Sequence, residues 1–298
     1  MTDAPAPDDT LAPARGILLQ AAGDTYLRMA ARLAQSLARH MPDLPVDLFT
    51  DAETTGPDYA RVHVDPAYGP KGKIAALRAS RFDHSLYMDV DMIAVAPFAD
   101  VFDLLDAFDM ALAQDQMRVS PDAMRLWRRP LPPTYPQLNG GFIAWRRNPA
   151  TIAFLTLWEE SVAEHGVGKD QPALRERLWD DRTLRVTVLP EEYNLWDLDR
   201  IDGMDYQHAA PRILHNFQFK APPTLALDPD AAVEAVLGPR RAAHMRMIIG
   251  ADPNLAPAGA PPRPVGRTFT RRQRLAVSMR AFGDLRRKGR RLRRLFQG

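Results

Sequence analysis

Short apolar runs alternate with amphipathic stretches along most of this chain. The apolar runs predict strands at residues 16–22, 46–49, 61–64, 85–88, 109–113, 141–145, 184–189 and 212–214. Apolar positions with a period near 3.6, and proline at a first helical position, predict helices at residues 24–40, 72–82, 149–164 and 172–179, the first capped by Asp24 or Thr25. The alternation predicts an α/β fold with a mostly parallel sheet flanked by helices.

The pattern predicts one α/β domain over residues 12–250. Residues 251–266 carry five prolines and two glycines, which predicts a linker. Residues 267–298 combine spaced apolar residues with many arginines, which predicts a basic amphipathic helical tail. In α/β sheets ligands bind beyond the carboxyl ends of strands, so polar residues directly after strands are the candidates for a site.

Composition narrows the class of protein. The 298 residues are 46% hydrophobic and 26% charged, as in a soluble globular protein. Cysteine is absent, which excludes disulfides, thiolate metal sites and a cysteine nucleophile. No apolar run approaches the ~18 residues of a membrane-spanning helix. The first ten residues are acidic and contain prolines, so we do not expect them to act as a signal peptide. We therefore expect a cytoplasmic protein.

The charge is divided unevenly along the chain. Residues 263–298 hold 13 of the 39 Lys and Arg but only one of the 37 Asp and Glu, Asp284, so a basic tail follows an acidic body. A basic amphipathic helix indicates peripheral binding to an anionic membrane surface. There are two alternatives: the tail could dock on the acidic body, or it could bind nucleic acid. We do not expect a nucleic-acid partner.

Asp89-Val90-Asp91 interrupts an apolar run that extends from residue 86 to residue 95. In an extended chain residues i and i+2 project to the same side, so the two aspartates would converge while Val90 points into the core. Two close carboxylates at the end of a buried strand repel each other unless a cation compensates, which favours a divalent metal ion. The alternative is a turn whose aspartates are solvated or paired with Arg78 or Arg81.

Three later segments also place polar groups next to predicted elements. Asn139-Gly140-Gly141 precedes a strand, where glycines let the backbone approach a ligand, although Asn-Gly is also typical of a hairpin turn. Asp170-Gln171 begins a helix, where Asp is also a common N-cap. His215 follows a strand, and an imidazole beside two carboxylates would favour Mn²⁺ over Mg²⁺.

Taken in order, these segments resemble the nucleotide-sugar transferases of the GT-A fold, nearest to glycosyltransferase family eight. The resemblance spans about residues 15–222. Its motifs match Ala21-Ala22-Gly23-Asp24-Thr25-Tyr26, Gly72-Lys73-Ile74-Ala75-Ala76-Leu77, Asp89 with Asp91, Asn139-Gly140-Gly141, Asp170-Gln171, the Leu189 to Asn194 loop, and His215 with Lys220. His215 and Lys220 are one residue closer together than the family places them, and the usual glycine between them is missing.

The resemblance implies roles for these residues. Asp89, Asp91 and His215 would hold Mn²⁺ (or Mg²⁺), and Asp170 and Gln171 would be the catalytic residues that hold the donor sugar. The donor-binding residues would be Tyr26 at the nucleobase, Lys73 and Lys220 at the diphosphate, and Asn139 and Gly140 at the sugar.

The implied function is metal-dependent transfer from a nucleotide-diphosphate sugar, with UDP as the nucleotide, to a glycan or lipid-linked acceptor, with retention. One alternative is an inactive scaffold of the same fold that the basic tail attaches to a membrane. Another is a sugar nucleotidyltransferase, but Ala21-Ala22-Gly23-Asp24 lacks the glycine-rich basic phosphate loop of that class.

Overall fold

The computed structural model describes residues 14–256, apart from residue 57 and residues 166–169. The predicted basic tail and most of the predicted linker lie outside the described residues, as do Gly168 and Lys169 of the segment before Asp170.

Strands and helices alternate along the described chain, as the apolar pattern predicts. The strands are β1 Arg15–Gln20, β2 Val46–Thr50, β3 Arg61–Val64, β4 His84–Met88, β5 Met92–Ala94, β6 Met110–Gln114, β7 Leu138–Arg146, β8 Val186–Leu189 and β9 Ile213–His215. The helices are α1 Asp24–His40, α2 Lys73–Arg78, α3 Pro149–His165, α4 Gln171–Asp180, α5 Pro222–Leu225, α6 Pro229–Leu237 and α7 Pro239–Ala251. Short 3₁₀ helices include Glu191–Tyr193 and Phe217–Lys220.

The main sheet has seven strands in the order β3-β2-β1-β4-β7-β6-β8. β3, β2, β1 and β4 are parallel, and β6 and β8 are parallel, whereas β7 runs antiparallel to both of its neighbours. A separate two-stranded sheet pairs β5 with β9 antiparallel, which places Met92 opposite His215. The predicted α/β fold with a mostly parallel sheet is confirmed.

The two faces of the main sheet bury separate apolar cores. Ile17, Leu19 and Leu86 face α1, whereas Leu18, Tyr87 and Trp145 face the side covered by α2, α3 and α4. This division follows from the alternation of side chains along a strand. A third core joins β5 and β9 to α6 and α7. None of the helices among the described residues is long and apolar enough to cross a bilayer.

Several predicted boundaries are wrong for local reasons. Helix α1 begins after Gly23, whose φ of 79° is a conformation that favours glycine, and neither Asp24 nor Thr25 caps it. The helix predicted to reach residue 82 ends at Arg78, because Ser80 Oγ accepts a hydrogen bond from the Phe82 amide and the chain turns there. Helices α5–α7 were not predicted.

Packing continues beyond residue 250. The side chain of Asp252 lies 3.2 Å from Arg212 and accepts a hydrogen bond from the Ala210 amide, and Leu255 packs against the third core. The first residues of the predicted linker are therefore part of the folded body. The remaining domain boundaries stay predictions.

Candidate functional site

The loop between β4 and β5 carries Asp89 and Asp91 directly after the carboxyl end of β4. Val90 between them is buried, as the alternation predicts. The Asp89 amide donates a hydrogen bond of 2.7 Å to the Gly141 carbonyl oxygen, and the Asp91 carbonyl oxygen accepts one of 3.2 Å from Asn216. These bonds fix the loop against β7 and against the residue after β9. Arg78 and Arg81 pair elsewhere, with Glu159 and Asp47, so they do not neutralise these aspartates.

His215 completes a cluster with the two aspartates. The pairing of β5 with β9 brings His215 Nε2 to 3.1 Å from Asp91 Oδ1. Asp89, Asp91 and His215 each offer one atom that could bind a metal ion, and these three atoms lie within 4.8 Å of one another. His215 Nδ1 lies 2.9 Å from Asn194 Oδ1, which holds the ring with Nε2 directed at Asp91. Two carboxylates and an imidazole are a suitable ligand set for Mn²⁺.

Gly141 provides the space that this cluster needs. A Cβ atom at Gly141 would lie 2.7 Å from Asp89 Oδ2, 2.8 Å from His215 Cε1 and 2.9 Å from Asn139 Oδ1. The backbone is therefore packed directly against the three side chains, and only glycine fits there without displacing them. The three ligand side chains, and the Gly141 backbone packed closely against them, both fit a bound divalent cation.

Lys73 lies next to the cluster, at the first residue of α2. Its Nζ is 2.9 Å from Asp170 Oδ2 and 3.5 Å from Asp89 Oδ1, and it donates a hydrogen bond of 3.2 Å to the Gly140 carbonyl oxygen. Asp170 makes no side-chain cap bond at the start of α4. The simple N-cap interpretation of Asp170 is therefore wrong, because its carboxylate is directed at Lys73.

The electrostatics of the cluster follow from burial and from these contacts. Burial raises the pKa of Asp89 above its ordinary value, despite the charge of Lys73. Burial acts in the same direction on Asp91, but the charge and hydrogen bond of His215 outweigh it and lower the pKa of Asp91. Burial would lower the pKa of Lys73, yet Asp170 and Asp89 together raise it. Lys73 therefore carries a fixed positive charge beside the aspartates.

Asn139, Gly140 and Gln171 lie at the same end of the sheet as Asp89 and Asp91. Residues 138–146 form one continuous strand, so the hairpin interpretation of Asn139-Gly140 is wrong. Asn139 Oδ1 accepts a hydrogen bond of 2.8 Å from the Gly141 amide. Gln171 Nε2 donates one of 3.2 Å to the Leu138 carbonyl oxygen, which connects α4 to the start of β7.

Tyr26 and Lys220 lie at the rim of a cavity of about 900 Å³ that also reaches Lys73, Asp89 and Asp91. Lys220 Nζ is 2.5 Å from the Tyr26 hydroxyl oxygen and 4.3 Å from the centre of its ring. A second cavity of about 330 Å³ contains Asn139 and His215 and shares Lys73, Asp89, Asp91 and Gln171 with the first. The structure thus brings all the predicted site residues to one region, with Gly140 contacting Lys73.

A family model described as nucleotide-diphospho-sugar transferase matches residues 84–217, which contain both aspartates, Asn139, Asp170, Gln171 and His215. Residues 84–217 are therefore similar to this transferase family. The resemblance to the GT-A nucleotide-sugar glycosyltransferases near family eight, which the sequence predicts, is confirmed. No curated protein sequence matches the chain.

Solved glycosyltransferases share the fold of this chain. Apo GlyE of Streptococcus pneumoniae TIGR4 is 14% identical with a TM-score of 0.52, over 80% of this chain and 64% of GlyE. An active-site mutant of LgtC is 12% identical with a TM-score of 0.50, over 79% of this chain and 95% of LgtC. The bifunctional glycosyltransferase WbbM is 15% identical with a TM-score of 0.50, over 78% of this chain and 53% of WbbM. This chain therefore spans less than two thirds of the length of GlyE.

Sequence reasoning assigned no role to several residues that support the candidate site. The Tyr87 hydroxyl donates a hydrogen bond of 2.7 Å to Asp89 Oδ1, and Asn194 holds His215. Arg32 is buried on α1 and donates to the carbonyl oxygens of Phe219 and Thr224, both at 2.7 Å, which ties the segment around Lys220 to α1. An arginine on the apolar face of a helix is a signal that could have identified Arg32.

Proposed function

We propose that this chain is a metal-dependent glycosyltransferase that moves a sugar from a UDP-sugar to a glycan or lipid-linked acceptor, with retention at the anomeric carbon. The observation that carries the proposal is the convergence of Asp89, Asp91 and His215 beside Lys73, at the junction of two cavities. The nucleotide, the retention and the acceptor class rest on the resemblance to family eight.

Asp89, Asp91 and His215 would hold Mn²⁺ (or Mg²⁺). Such an ion neutralises the charge that develops on a departing nucleoside diphosphate. The three ligand groups need little rearrangement, because Tyr87 and Asn194 already fix Asp89 and His215. The Gly141 backbone closes the space behind the cluster.

Lys73 supplies a second positive charge at the diphosphate. Asp170 and the Gly140 carbonyl oxygen hold its ammonium group, so it needs little reordering when the donor binds. Lys220 would add a third charge from the rim of the larger cavity, once it leaves the Tyr26 hydroxyl.

The larger cavity is the proposed nucleotide site. Tyr26 is 41% exposed there and offers an aromatic ring to a nucleobase. Asn139, Gly140, Asp170 and Gln171 would surround the donor sugar between this cavity and the metal ligands. Asp170 and Gln171 are the proposed catalytic residues, and we assign no covalent nucleophile.

Thermal unfolding with UDP, GDP, ADP and CMP, each with and without Mn²⁺, tests the proposal. A ligand at a hundredfold excess over its dissociation constant stabilises the protein by about 2.7 kcal/mol. For a domain of this size the expected increase in Tm is roughly 5–10 °C with UDP and Mn²⁺ together.

Asp91→Asn should remove the Mn²⁺-dependent part of this increase, whereas Asp43→Asn, at an exposed position before β2, should preserve it. Stabilisation by UDP that is equal with and without Mn²⁺ would contradict the proposed metal site. No response to any nucleotide would favour the scaffold alternative.

The basic tail supports a second proposal, peripheral attachment to the cytoplasmic face of a membrane. The 12 basic residues and the spaced apolar residues of residues 267–298 suit an anionic lipid surface. Co-sedimentation with phosphatidylserine vesicles should retain the full chain and release a truncation to residues 1–262, which keeps every residue of the third core. Equal partitioning of both proteins would contradict this proposal.

A further inference from the structure

The segment that joins β6 to β7, residues 115–137, exposes several apolar side chains, and we call it the β6–β7 loop. Four large apolar residues of this loop are exposed: Met117 by 44%, Val119 by 89%, Met124 by 60% and Leu126 by 48%. The Ser120 amide donates a hydrogen bond of 2.8 Å to the Met117 carbonyl oxygen, and the Met124 amide donates one of 2.9 Å to the Ser120 carbonyl oxygen. These bonds fold the stretch into consecutive turns, so the four side chains belong to one compact piece of surface.

This grouping distinguishes the β6–β7 loop from the rest of the described surface. Among the described residues, the other exposed large apolar side chains come singly from different elements: Tyr26, Val64, Leu157, Val188, Phe217 and Met247. Single exposed apolar residues are ordinary on a protein surface, whereas a group of them indicates contact with a second apolar surface.

Arginines accompany these apolar residues. Residues 117–129 contain four arginines and one acidic residue, although the body of the chain is acidic. Three of the four arginines have carboxylate partners: Arg125 has Asp122, Arg128 has Glu176, and Arg129 has Asp180. Arg118, between Met117 and Val119, differs from them because its Nη2 donates to the Pro133 carbonyl oxygen.

Arg118 lies near a second arginine, Arg175 of α4. Arg175 Nε donates to the Tyr135 carbonyl oxygen at 3.1 Å and Nη2 to that of Pro132 at 3.3 Å, so carbonyl oxygens of one loop hold both guanidinium groups. Burial lowers the pKa of Arg175, and the charge of Arg118 acts in the same direction. Within the part of the chain that the structure describes, neither arginine forms an ion pair with a carboxylate. Two neighbouring cations held in this way suit an anionic group such as a phosphate.

We propose that the β6–β7 loop binds an anionic phospholipid surface, with Val119 and its apolar neighbours among the lipid chains and with Arg118 and Arg175 at the lipid phosphates. The charge of the two arginines selects this partner. An apolar protein surface would cover the apolar side chains but leave both cations unmatched, and a free phosphate would match the cations but leave the apolar side chains in water. A phospholipid surface satisfies both groups.

This contact goes beyond the proposed transfer and does not depend on the basic tail. Met117 and Ser120 also line the second cavity, so the contact would hold the candidate site next to the lipid surface.

The chain has no cysteine, which allows a test at a single position of the full chain. Val119→Cys, labelled with the fluorophore NBD, is mixed with vesicles of phosphatidylcholine and phosphatidylserine. Its emission should shift to shorter wavelength, and lipids with a spin label on the acyl chain should quench it. The physical reason is that the label leaves water for the hydrocarbon region.

Ala107→Cys is the matched control. Ala107 is exposed and precedes β6, so it lies at the opposite end of that strand from the loop. A label there should show neither the shift nor the quenching. Equal responses at the two positions, or no response at Val119→Cys, would overturn the proposal.

Unlabelled variants test the apolar and the charged contact separately by co-sedimentation with the same vesicles. Val119→Asp should lower the partition coefficient by about tenfold or more, because an apolar side chain no longer enters the lipid. Arg118→Gln should lower it about fivefold. Arg39→Gln removes an equal charge from the last turn of α1 and should change it by less than about twofold. Equal losses in Arg118→Gln and Arg39→Gln, or unchanged binding by Val119→Asp, would contradict the proposal.

The same proteins identify the other possible occupants. A shift of the Val119→Cys label that depends on protein concentration without vesicles would indicate a second copy of this chain and overturn the proposal. Thermal stabilisation by inorganic phosphate that Arg118→Gln removes, without any response to vesicles, would indicate a free anion and overturn it as well. Vesicle binding by the full chain with no response at Val119→Cys would assign attachment to the basic tail alone. The nucleotide experiment tests the donor site independently of all these outcomes.

Discussion

The ammonium group of Lys73 lies 2.9 Å from Asp170 Oδ2, and this contact joins the first residue of α2 to the residue before α4. Both side chains are largely buried, with 19% and 22% of their surface exposed. Lys73 also reaches the Gly140 carbonyl oxygen and Asp89, so one charge links two helices, β7 and the proposed metal cluster.

A double-mutant cycle with Lys73→Met and Asp170→Asn should give a coupling energy of about 1–2 kcal/mol. The physical reason is that each group compensates the charge of the other in a poorly solvated position. Denaturant unfolding of the four proteins without nucleotide measures this energy.

The exposed pair Arg39–Asp230, with Nη1 and Oδ2 2.8 Å apart, provides the control cycle. Its coupling should be below about 0.5 kcal/mol, because solvent screens an exposed ion pair. Equal coupling in the two cycles would show that burial does not strengthen the Lys73–Asp170 contact.

Gly141→Ala should lower the affinity for Mn²⁺ by at least about tenfold and glycosyl transfer by about 100-fold. The added methyl would lie within 2.9 Å of Asp89, His215 and Asn139, so at least one proposed metal ligand must move. Isothermal titration with Mn²⁺ and initial rates of UDP release measure the two effects.

Gly140→Ala is the matched control. A Cβ there would meet Gln171 Cγ at 3.4 Å, Lys73 Nζ at 3.5 Å and Asp170 Oδ2 at 3.6 Å, which are ordinary contact distances. Its Mn²⁺ affinity should stay within about twofold of the wild type. A larger loss of Mn²⁺ affinity in Gly140→Ala than in Gly141→Ala would show that the close packing at Gly141 does not position the proposed metal ligands.

Local sequence patterns predicted most strands of the main sheet and several residues of the candidate site, whereas Tyr26, Lys73 and Lys220 were assigned only through the resemblance to family eight. The apolar run before Asp89 identifies β4, and the i, i+2 spacing predicts that Asp89 and Asp91 share one side with Val90 buried between them. Glycines and polar residues next to strands identified Asn139, Gly140 and His215, because the edge of an α/β sheet collects such residues in one place.

The contacts between distant segments could not be predicted from these patterns. The pairing of β5 with β9 joins residues 92–94 to residues 213–215. A strand is predicted at residues 212–214, but its pattern does not identify its partner, and the three residues of β5 have too little periodicity to be recognised. The hydrogen bond between Asn194 and His215 could not be predicted either, because an asparagine at position 194 is equally typical of an ordinary loop. The antiparallel direction of β7 depends on tertiary packing, which the order of elements does not fix.

Asn194→Ala should weaken Mn²⁺ binding by about 10–100-fold. Asn194 Oδ1 holds His215 Nδ1, so Nε2 stays directed at Asp91, and without this contact the imidazole must be ordered when the metal binds. Titration followed by the electron paramagnetic resonance of free Mn²⁺ measures the affinity without any nucleotide or acceptor.

Asn254→Ala changes an exposed asparagine far along the chain from the cluster and should leave this affinity unchanged. Wild-type affinity in Asn194→Ala would mean that β9 alone positions His215.

Asp47 is a fully buried carboxylate on β2, remote from the proposed ligands in the sequence. Arg81 Nε and Nη2 donate to its two oxygens at 2.8 and 3.0 Å, and His63 Nε2 lies 3.0 Å from Oδ2. Burial would raise the pKa of Asp47, but the hydrogen bonds with His63 and Arg81 outweigh it and lower the pKa below the ordinary value of 3.8.

This lowered pKa predicts how Asp47 contributes to stability as the pH changes. The unfolded chain binds more protons at this group than the folded protein does, so the contribution is complete above the ordinary pKa and is lost as the pH falls through the lower folded value. Asp47→Asn should therefore cost about 2–3 kcal/mol at pH 7 and progressively less below about pH 4, whereas Asp43→Asn should cost little at either pH. Urea unfolding between pH 3 and pH 7 measures the difference, and a cost that stays constant across this range would show that the Asp47 carboxylate gains no stability from its charge.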